Sequence, residues 1–399
     1  FLQYQSKSIY FKYNQHNLID TQLLIIDEAS MISMPLFYKL LSAINYNQLD
    51  HLIILGDKNQ LPSVEEGLVF KPLVEYYDKY INNHYDDHLQ TLKTNKVLNH
   101  LTISNRNKGD IYKLSLAILG KNFNIIKEIL KTNLDNYELL NVTKQILYHD
   151  VKRYNTDSEI LRVILYNIIS HDSINMIDYI NYITHLNHKM TQEYLNTQDF
   201  NIDDVKLLAE ELFRKYNNTI LLTSYNNGIL GVNELNIRIE TVIKNQLNIP
   251  LEQLWYVGRA ILILENDYAL DIYNGDIGIC VYMNNQFRIL FDNGKYYSIN
   301  ILPAYQLAFA MTIHKSQGSE YNNVILLLPE FTLDNTILSI ELLYTAITRA
   351  KYKIQLYTTE NTLNNIIQTN ESDNSQQNLE NISRITGIAS LLQDLEMEA

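Results

Sequence analysis

Four consecutive aliphatic residues, Leu23-Leu24-Ile25-Ile26, end in two carboxylates, Asp27 and Glu28, followed by Ala29-Ser30. A buried strand delivers such a pair to its carboxyl end, where open α/β sheets bind ligands. There the aspartate can hold Mg²⁺ through water, and the glutamate can polarise a water for attack on a phosphoryl group. A second stretch has the same build: His51-Leu52-Ile53-Ile54-Leu55 runs into Gly56-Asp57-Lys58-Asn59-Gln60-Leu61-Pro62. The Gln60 carboxamide both donates and accepts hydrogen bonds, which suits it to sense a terminal phosphate and a positioned water. Two later stretches are dense in hydroxyls, amides and cations: Ala310-Met311-Thr312-Ile313-His314-Lys315-Ser316-Gln317-Gly318-Ser319-Glu320, and Leu343-Tyr344-Thr345-Ala346-Ile347-Thr348-Arg349-Ala350-Lys351.

The elements that must position these residues follow from periodicity. Residues 22–26 and 51–55 are continuous apolar runs without alternation, which predicts parallel strands covered on both faces. The helical spacing of Leu36 to Asn45 between them makes a right-handed β-α-β unit, and residues 67–81 read as a further helix. From about 110 to 217 the chain is helical in character, with apolar helical spacing at 111–119, 124–130, 158–170, 173–195 and 203–216. Strands return at 219–223, 259–264, 277–283, 287–291, 296–301, 307–312, 324–328 and 353–357. Those from 259 to 301 differ in kind: they alternate, and turn signals at Asn274-Gly275, Asn284-Asn285 and Asp292-Asn293-Gly294 separate them. That pattern predicts a small β-barrel inserted in an α/β domain. Residues 369–384 are rich in Asn, Gln, Ser and Glu and read as a linker, with a short apolar stretch at 385–395.

Composition narrows the class. The chain has 399 residues, 46% of them hydrophobic, enough for more than one packed domain. No apolar run approaches the roughly 20 residues of a membrane-spanning helix, and Phe1 is followed by polar residues rather than a signal-peptide core. One cysteine, Cys280, excludes an internal disulfide, and the pattern gives it a packing role. We read the compartment as cytoplasmic. The net charge of −13 argues against indiscriminate binding to nucleic acid without excluding a local basic groove. With 47 Asn and 30 Tyr against nine Arg and 12 Gly, drift fills bland positions with Asn and Tyr, so an Arg or Gly in a phosphate-facing stretch carries more information. The ten His show no metal-ligand spacing, and Trp255 is expected to pack at the base of the barrel.

The stretch at 23–28 is a Walker B pattern. In order, the stretches around Asp27, Gln60, Thr312 and Arg349 resemble motifs II, III, V and VI of superfamily 1 helicases. The resemblance is to the RecD branch, which moves 5′ to 3′. It is supported by Leu222-Thr223-Ser224-Tyr225-Asn226, Gly231-Val232-Asn233-Glu234-Leu235-Asn236, Trp255-Tyr256-Val257-Gly258-Arg259, Tyr273-Asn274-Gly275-Asp276-Ile277-Gly278 and the tail from Arg384 to Leu392.

That resemblance implies an α/β fold of two RecA-like domains with an SH3-like barrel in the second. The boundaries are 1–105 for the first domain, 106–217 for a helical connecting region, 218–366 for the second domain with the barrel at about 256–305, and 367–399 for the tail. It also implies ATP and Mg²⁺ as cofactors. Asp27 and Glu28 would be the metal-linked acid and the catalytic base, and Gln60 the phosphate sensor. Arg106 and Arg349 would be charge-stabilising arginines, with Gly318 and Glu320 also facing the nucleotide. Thr312, His314, Lys315 and Gln317 would hold DNA by its backbone. RecB-like and RecC-like subunits would be partners in a helicase/exonuclease acting on double-strand breaks, with the nuclease on another chain. The family's Walker A loop, Gly-x-x-x-x-Gly-Lys-Ser/Thr, is not among these residues, and the resemblance covers the carboxyl two-thirds of the family pattern. The 399-residue chain is therefore expected not to hydrolyse ATP alone. A stand-alone RecD-like or relaxase-linked helicase shares the same motifs, and a non-catalytic DNA-binding or docking subunit is the reading from another class.

Overall fold

The aliphatic run at 23–26 becomes strand β1 (Leu23–Ile26), paired in parallel with β2 (His51–Ile54), Leu23 opposite His51 and Ile26 opposite Ile54. Helix α1 (Met34–Ser42) connects them, with a proline in its first turn where no backbone donor is needed. Leu24, Ile26 and Ala29 pack with Leu40, Ala43 and Ile44, and Phe37, Ile54 and Phe70 close over them. Phe70 begins α2 (Phe70–Asn83). The expectation of cover on both faces is corrected here. Leu23 and Ile25 are 47% and 44% exposed, and Leu52, Ile53 and Leu55 are also exposed. Side chains alternate across a strand, so one layer of helices covers only every second residue of β1.

The structure is a computed structural model describing residues 2, 11–63, 67–83, 98–101, 108–132, 145–170, 175–191, 202–329 and 338–368. It forms two compact units, one of residues up to Ser104 and from Gln368 on, the other Asn105–Ile367. The second is built on a five-stranded parallel sheet. Its strands are β3 (Ile146–Asp150), β4 (Thr219–Thr223), β10 (Ala310–Thr312), β11 (Tyr321–Leu327) and β12 (Ala350–Thr358), in the order β10-β4-β11-β12-β3. Every residue of β4 is buried. Around the sheet run α3 (Asp110–Leu119), α4 (Phe123–Thr132), α5 (Asp157–Ile168), α6 (Ile177–Thr191), α7 (Ile202–Tyr216), α8 (Val232–Gln246), α9 (Ile340–Thr348) and α10 (Glu360–Gln368). Helix α5 is capped at Thr156, whose hydroxyl accepts from Glu159 N, and the Glu159 carboxylate reaches back to accept from Asn155 N.

Two corrections arise here. Residues 110–217 are not purely helical: β3 pairs with β12, so this region supplies an edge strand to the second unit's sheet. The single strand expected at 307–312 is two strands in two sheets. β9 (Tyr305–Leu307) pairs with β5 (Ala260–Ile263), and β10 pairs with β4. The inserted sheet is antiparallel, in the order β8-β7-β6-β5-β9, with β6 (Ile277–Met283), β7 (Gln286–Phe291) and β8 (Tyr296–Ser298). Asn284 and Asn285 turn β6 into β7 with φ of 50° and 59°, the pair of positive values a two-residue hairpin loop needs. Ile261, Ile263, Ile272, Cys280, Ile289 and Phe291 form its core, against which Trp255 packs as expected. No helix among the described residues is long and apolar enough to cross a membrane.

Candidate functional site

The carboxyl edge of β1 and β2 brings three of the expected residues to one side of the first unit. Asp27 follows β1 directly and is exposed; its Oδ1 accepts from Glu28 N at 2.8 Å. Glu28 sits in the left-handed region at φ 51°, ψ 40°. For a residue with a Cβ that costs about 1–2 kcal/mol. The surroundings impose it: Ala29 N is bonded to Leu55 O at 2.8 Å, and a 3-10 turn at Ala29–Met31 begins at once. Strained backbone of this kind concentrates at functional sites. From β2, Asn59 N and Gln60 N donate to Asp57 Oδ1 and Asp57 O at 2.9 and 3.2 Å. The Gln60 carboxamide donates to Asp57 Oδ2 at 3.5 Å. Gly56 is required by space, since a Cβ there would lie 2.9 Å from the Phe70 ring. Lys58 reaches Asp78 of α2 at 2.9 Å, and His100 reaches it at 2.7 Å. Those two hydrogen bonds, Lys58 first, hold the Asp78 carboxyl below its usual range.

Oxygen donors on an exposed strand end suit a hydrated Mg²⁺, which keeps several waters and takes one or two carboxylates. Asp27 fits that role, with Oδ1 engaged by the neighbouring amide and the rest of its carboxylate facing solvent.

In the second unit, β10 leads through Ile313 into a 3-10 turn, His314–Ser316, and then Gly318 at φ +77° with nothing near its missing Cβ. Thr312 is 5% exposed, and its hydroxyl accepts from Lys315 N at 3.3 Å. Lys315 Nζ donates to Gln306 at 3.1 Å. Partial burial lowers the pKa of both His314 and Lys315. His314, Lys315, Gln317 and Gly318 therefore share one short segment at the end of β10, and Glu320 beyond it pairs with Lys351 at 2.8 Å.

Arg349 ends α9, whose first turn is capped by Ser339 accepting from Leu342 N at 3.1 Å. Its side chain is wholly buried. Nε donates to Thr345 O at 3.2 Å and Nη1 to Ser319 O at 3.0 Å, while its own carbonyl accepts from Tyr321 N at 3.0 Å. Arg349 thus ties the last turn of α9 to the 316–321 segment. Arg106 lies outside the described residues.

Two arrangements were not legible in the sequence, although their residues lie in the RecD-like stretches at 222–226 and 231–236. The loop after β4, from Ser224 to Gly231, stands beside the end of β10, since Ile313 N donates to Thr223 O at 3.0 Å. Its turns are fixed by Val232 N to Tyr225 O and Asn233 N to Asn226 O. The second is Asn236, 4% exposed, whose carboxamide donates to Leu307 O and Ala310 O and accepts from Ala310 N. The signal available was its place in the RecD-like stretch 231–236, which gave no hint of a partner.

The pattern of sites resembles that of superfamily 1 helicases, and two family models match parts of the chain. A UvrD-like helicase C-terminal domain matches residues 307–357, and an AAA domain matches residues 1–66. Among curated proteins the chain is similar to RecD subunits. The RecBCD enzyme subunit RecD of Haemophilus influenzae is 30% identical over 402 residues, covering 97% of this chain and 57% of that protein. The RecD of Buchnera aphidicola subsp. Schizaphis graminum is 29% identical, covering 89% and 57%, and that of Mycobacterium tuberculosis strain H37Rv 26%, covering 88% and 52%. The chain spans about half the length of these curated relatives. A solved Bacteroides Pif1 bound to single-stranded DNA aligns loosely, with a TM-score of 0.41 at 16% identity over 86% of this chain and 72% of that one.

Proposed function

We propose that this chain is part of the motor of an ATP-dependent DNA helicase that moves 5′ to 3′ as the RecD-type member of a RecBCD-like helicase/exonuclease. Its partners are RecB-like and RecC-like subunits. The observation that supports this most is Glu28, held in a strained left-handed conformation at a strand end beside Asp27, on the edge that also carries Gln60. Asp27 would hold a hydrated Mg²⁺, which when bound would supply charge neutralisation at the transferring phosphate. Glu28 is the base for the proton of the attacking water, and Gln60 orients that water. By resemblance Arg106 and Arg349 are the charge-stabilising arginines; in this structure the Arg349 guanidinium is buried against Thr345 O and Ser319 O, and it would reach a phosphate only by leaving those bonds. The sheets of the two units are read as RecA-like and the inserted sheet as SH3-like. Backbone and side-chain donors of Thr312, His314, Lys315 and Gln317 hold DNA phosphates without reading bases, so sequence preference is low.

The test uses the chain assembled with its RecB-like and RecC-like subunits on duplexes with a 5′ or a 3′ single-stranded tail. Unwinding from the 5′ tail is expected. Glu28→Gln is expected to leave ATP binding nearly intact and to slow hydrolysis about a hundredfold or more. Normal unwinding by that variant removes Glu28 from the role of base. The purified 399-residue chain alone is expected to show no DNA-stimulated ATP hydrolysis, since no Gly-x-x-x-x-Gly-Lys-Ser/Thr loop is among its residues to cradle the phosphates. Turnover by that chain overturns this expectation.

A further inference from the structure

The inserted sheet joins the parallel sheet through two chain crossings that lie side by side. The chain leaves through Gly258-Arg259-Ala260 into β5 and returns through Leu307-Ala308-Phe309 into β10, and Ala308 N donates to Ala260 O at 3.0 Å. A module attached by two strands is ordinarily expected to move relative to its host. Here buried side chains from three helices take the carbonyls of both crossings. Tyr179 of α6 donates to Gly258 O at 2.7 Å, and Tyr216 at the end of α7 donates to Ala308 O at 2.5 Å. Asn236 of α8 donates to Leu307 O at 3.0 Å and Ala310 O at 2.8 Å, and accepts from Ala310 N at 2.8 Å. All three residues are 4% exposed. The two tyrosine rings meet edge to face at 5.9 Å, and burial raises both hydroxyls well above their ordinary pKa, so they remain donors.

Packing closes the same neck. Gly258 has φ +92°, and a Cβ there would lie 2.6 Å from Ile183 of α6. Beside it, Arg259 Nε donates to Glu240 of α8 at 2.9 Å while its guanidinium lies over Trp255 at 4.8 Å. The Asn236 contact has a particular form. Among the described residues β10 is an edge strand, paired with β4 on one side only. The carboxamide meets both the N–H and the C=O of Ala310, as a neighbouring strand would. The strand that carries Thr312 and His314 is thereby held by the same residue that holds the returning crossing.

We propose that Tyr179, Tyr216 and Asn236 are positioning residues that lock the inserted sheet to β10, so that the two move as one body and a displacement of the inserted sheet is handed to the Thr312–Gln317 segment. The relevance to DNA rests on the helicase reading above; the lock does not.

The test places spin labels, through introduced cysteines, at Asn285 in the β6–β7 turn and at Tyr352 on β12. Both positions are exposed, and the native Cys280 is buried, so the labels go where they are placed. Expected is one narrow distance distribution in the full chain, broadened in the Tyr179→Phe/Tyr216→Phe double variant, which keeps both rings and loses only the hydroxyls. In parallel, amide exchange of Asn236→Ala or Tyr216→Phe should quicken on the order of tenfold across residues 305–317, with β11 and β12 at wild-type rates. A broad distribution in the parent chain, an unchanged one in the double variant, or exchange that quickens uniformly over the sheet would overturn the lock. Should Asn236→Ala fail to fold, the hydroxyl deletions alone decide it. Binding of fluorescent oligo(dT) is read separately. If the lock loosens as expected and the parent binds, the double variant should bind severalfold more weakly; if the parent does not bind, the DNA-holding role of the Thr312–Gln317 segment fails in this chain while the distance result still decides the lock.

Discussion

β1 and β4 are built from the same kind of residues and end differently. Leu23-Leu24-Ile25-Ile26 buries every second side chain, whereas Thr219-Ile220-Leu221-Leu222-Thr223 buries all of them. β4 lies between β10 and β11 in a five-stranded sheet, whereas among the described residues β1 has one strand partner and one covered face. The chemistry at their ends differs in the same sense. Asp27 stands in solvent on a strained loop, while Arg349 and Thr312 are enclosed in the second unit's hydrogen bonds. Substitutions at the first edge should therefore be felt in chemistry, and those in the second unit in stability as well.

The largest expected effect is at Arg349. Arg349→Ala strands two buried carbonyls and leaves a cavity, so urea unfolding should show a loss of about 3 kcal/mol or more. Arg349→Lys keeps the charge but not the fork, and should recover only part of it. A loss under about 1 kcal/mol from Arg349→Ala would place the side chain outside the core in solution. Next, Leu222→Ala should cost about 2–5 kcal/mol and Ile25→Ala no more than about 1, measured as unfolding free energies. Equal costs would show that β1 is covered on both faces in solution and would dissolve the contrast. Glu28→Gly should be neutral or stabilising by up to about 1 kcal/mol, because glycine accepts φ near +50° without strain, whereas Glu28→Ala keeps the strain. Identical melting of the two variants would mean that residue 28 leaves the left-handed region.

The smallest expected effects are pH slopes, of no more than about 1 kcal/mol each. Burial lowers the His314 pKa, so its contribution is present above the unfolded value of about 6.5 and is lost as pH falls through the lower folded one. Asp78 is lowered by Lys58 and His100, so its contribution is present above about 3.9 and is lost on further acidification. His314→Gln should flatten the stability curve from pH 7 downward, and Asp78→Asn only the part below about pH 4. A single slope that neither variant changes would discard both assignments.

Much of this was legible in the sequence, and what was not has a common cause. The runs at 23–26, 51–54 and 219–223 announced their strands, and Asn284-Asn285 announced its turn, because those signals are local. β3 was not legible: Ile146-Leu147-Tyr148-His149-Asp150 is short, and its partner β12 comes some two hundred residues later in the chain. The break between β9 and β10 is hidden for the same reason, since residues 307–312 read as one strand until pairing with β5 and β4 divides it. The motif spacing singled out Arg349 but could not show that its guanidinium is enclosed by Ser319 and Thr345 carbonyls. Drift toward Asn and Tyr also hid residues that matter: Tyr179, Tyr216 and Asn236 look like filler and hold the neck.

The side-by-side crossings have a consequence for how such a chain can change over generations. Because Ala260 and Ala308 are bonded neighbours, everything between them is a closed excursion that begins and ends at one point of the host sheet. Insertions or deletions at the exposed Asn284-Asn285 turn alter the excursion's outline without shifting the register of β10 on β4. A lineage can therefore remodel the far surface of this lobe by small indels while the strand bearing Thr312 keeps its place.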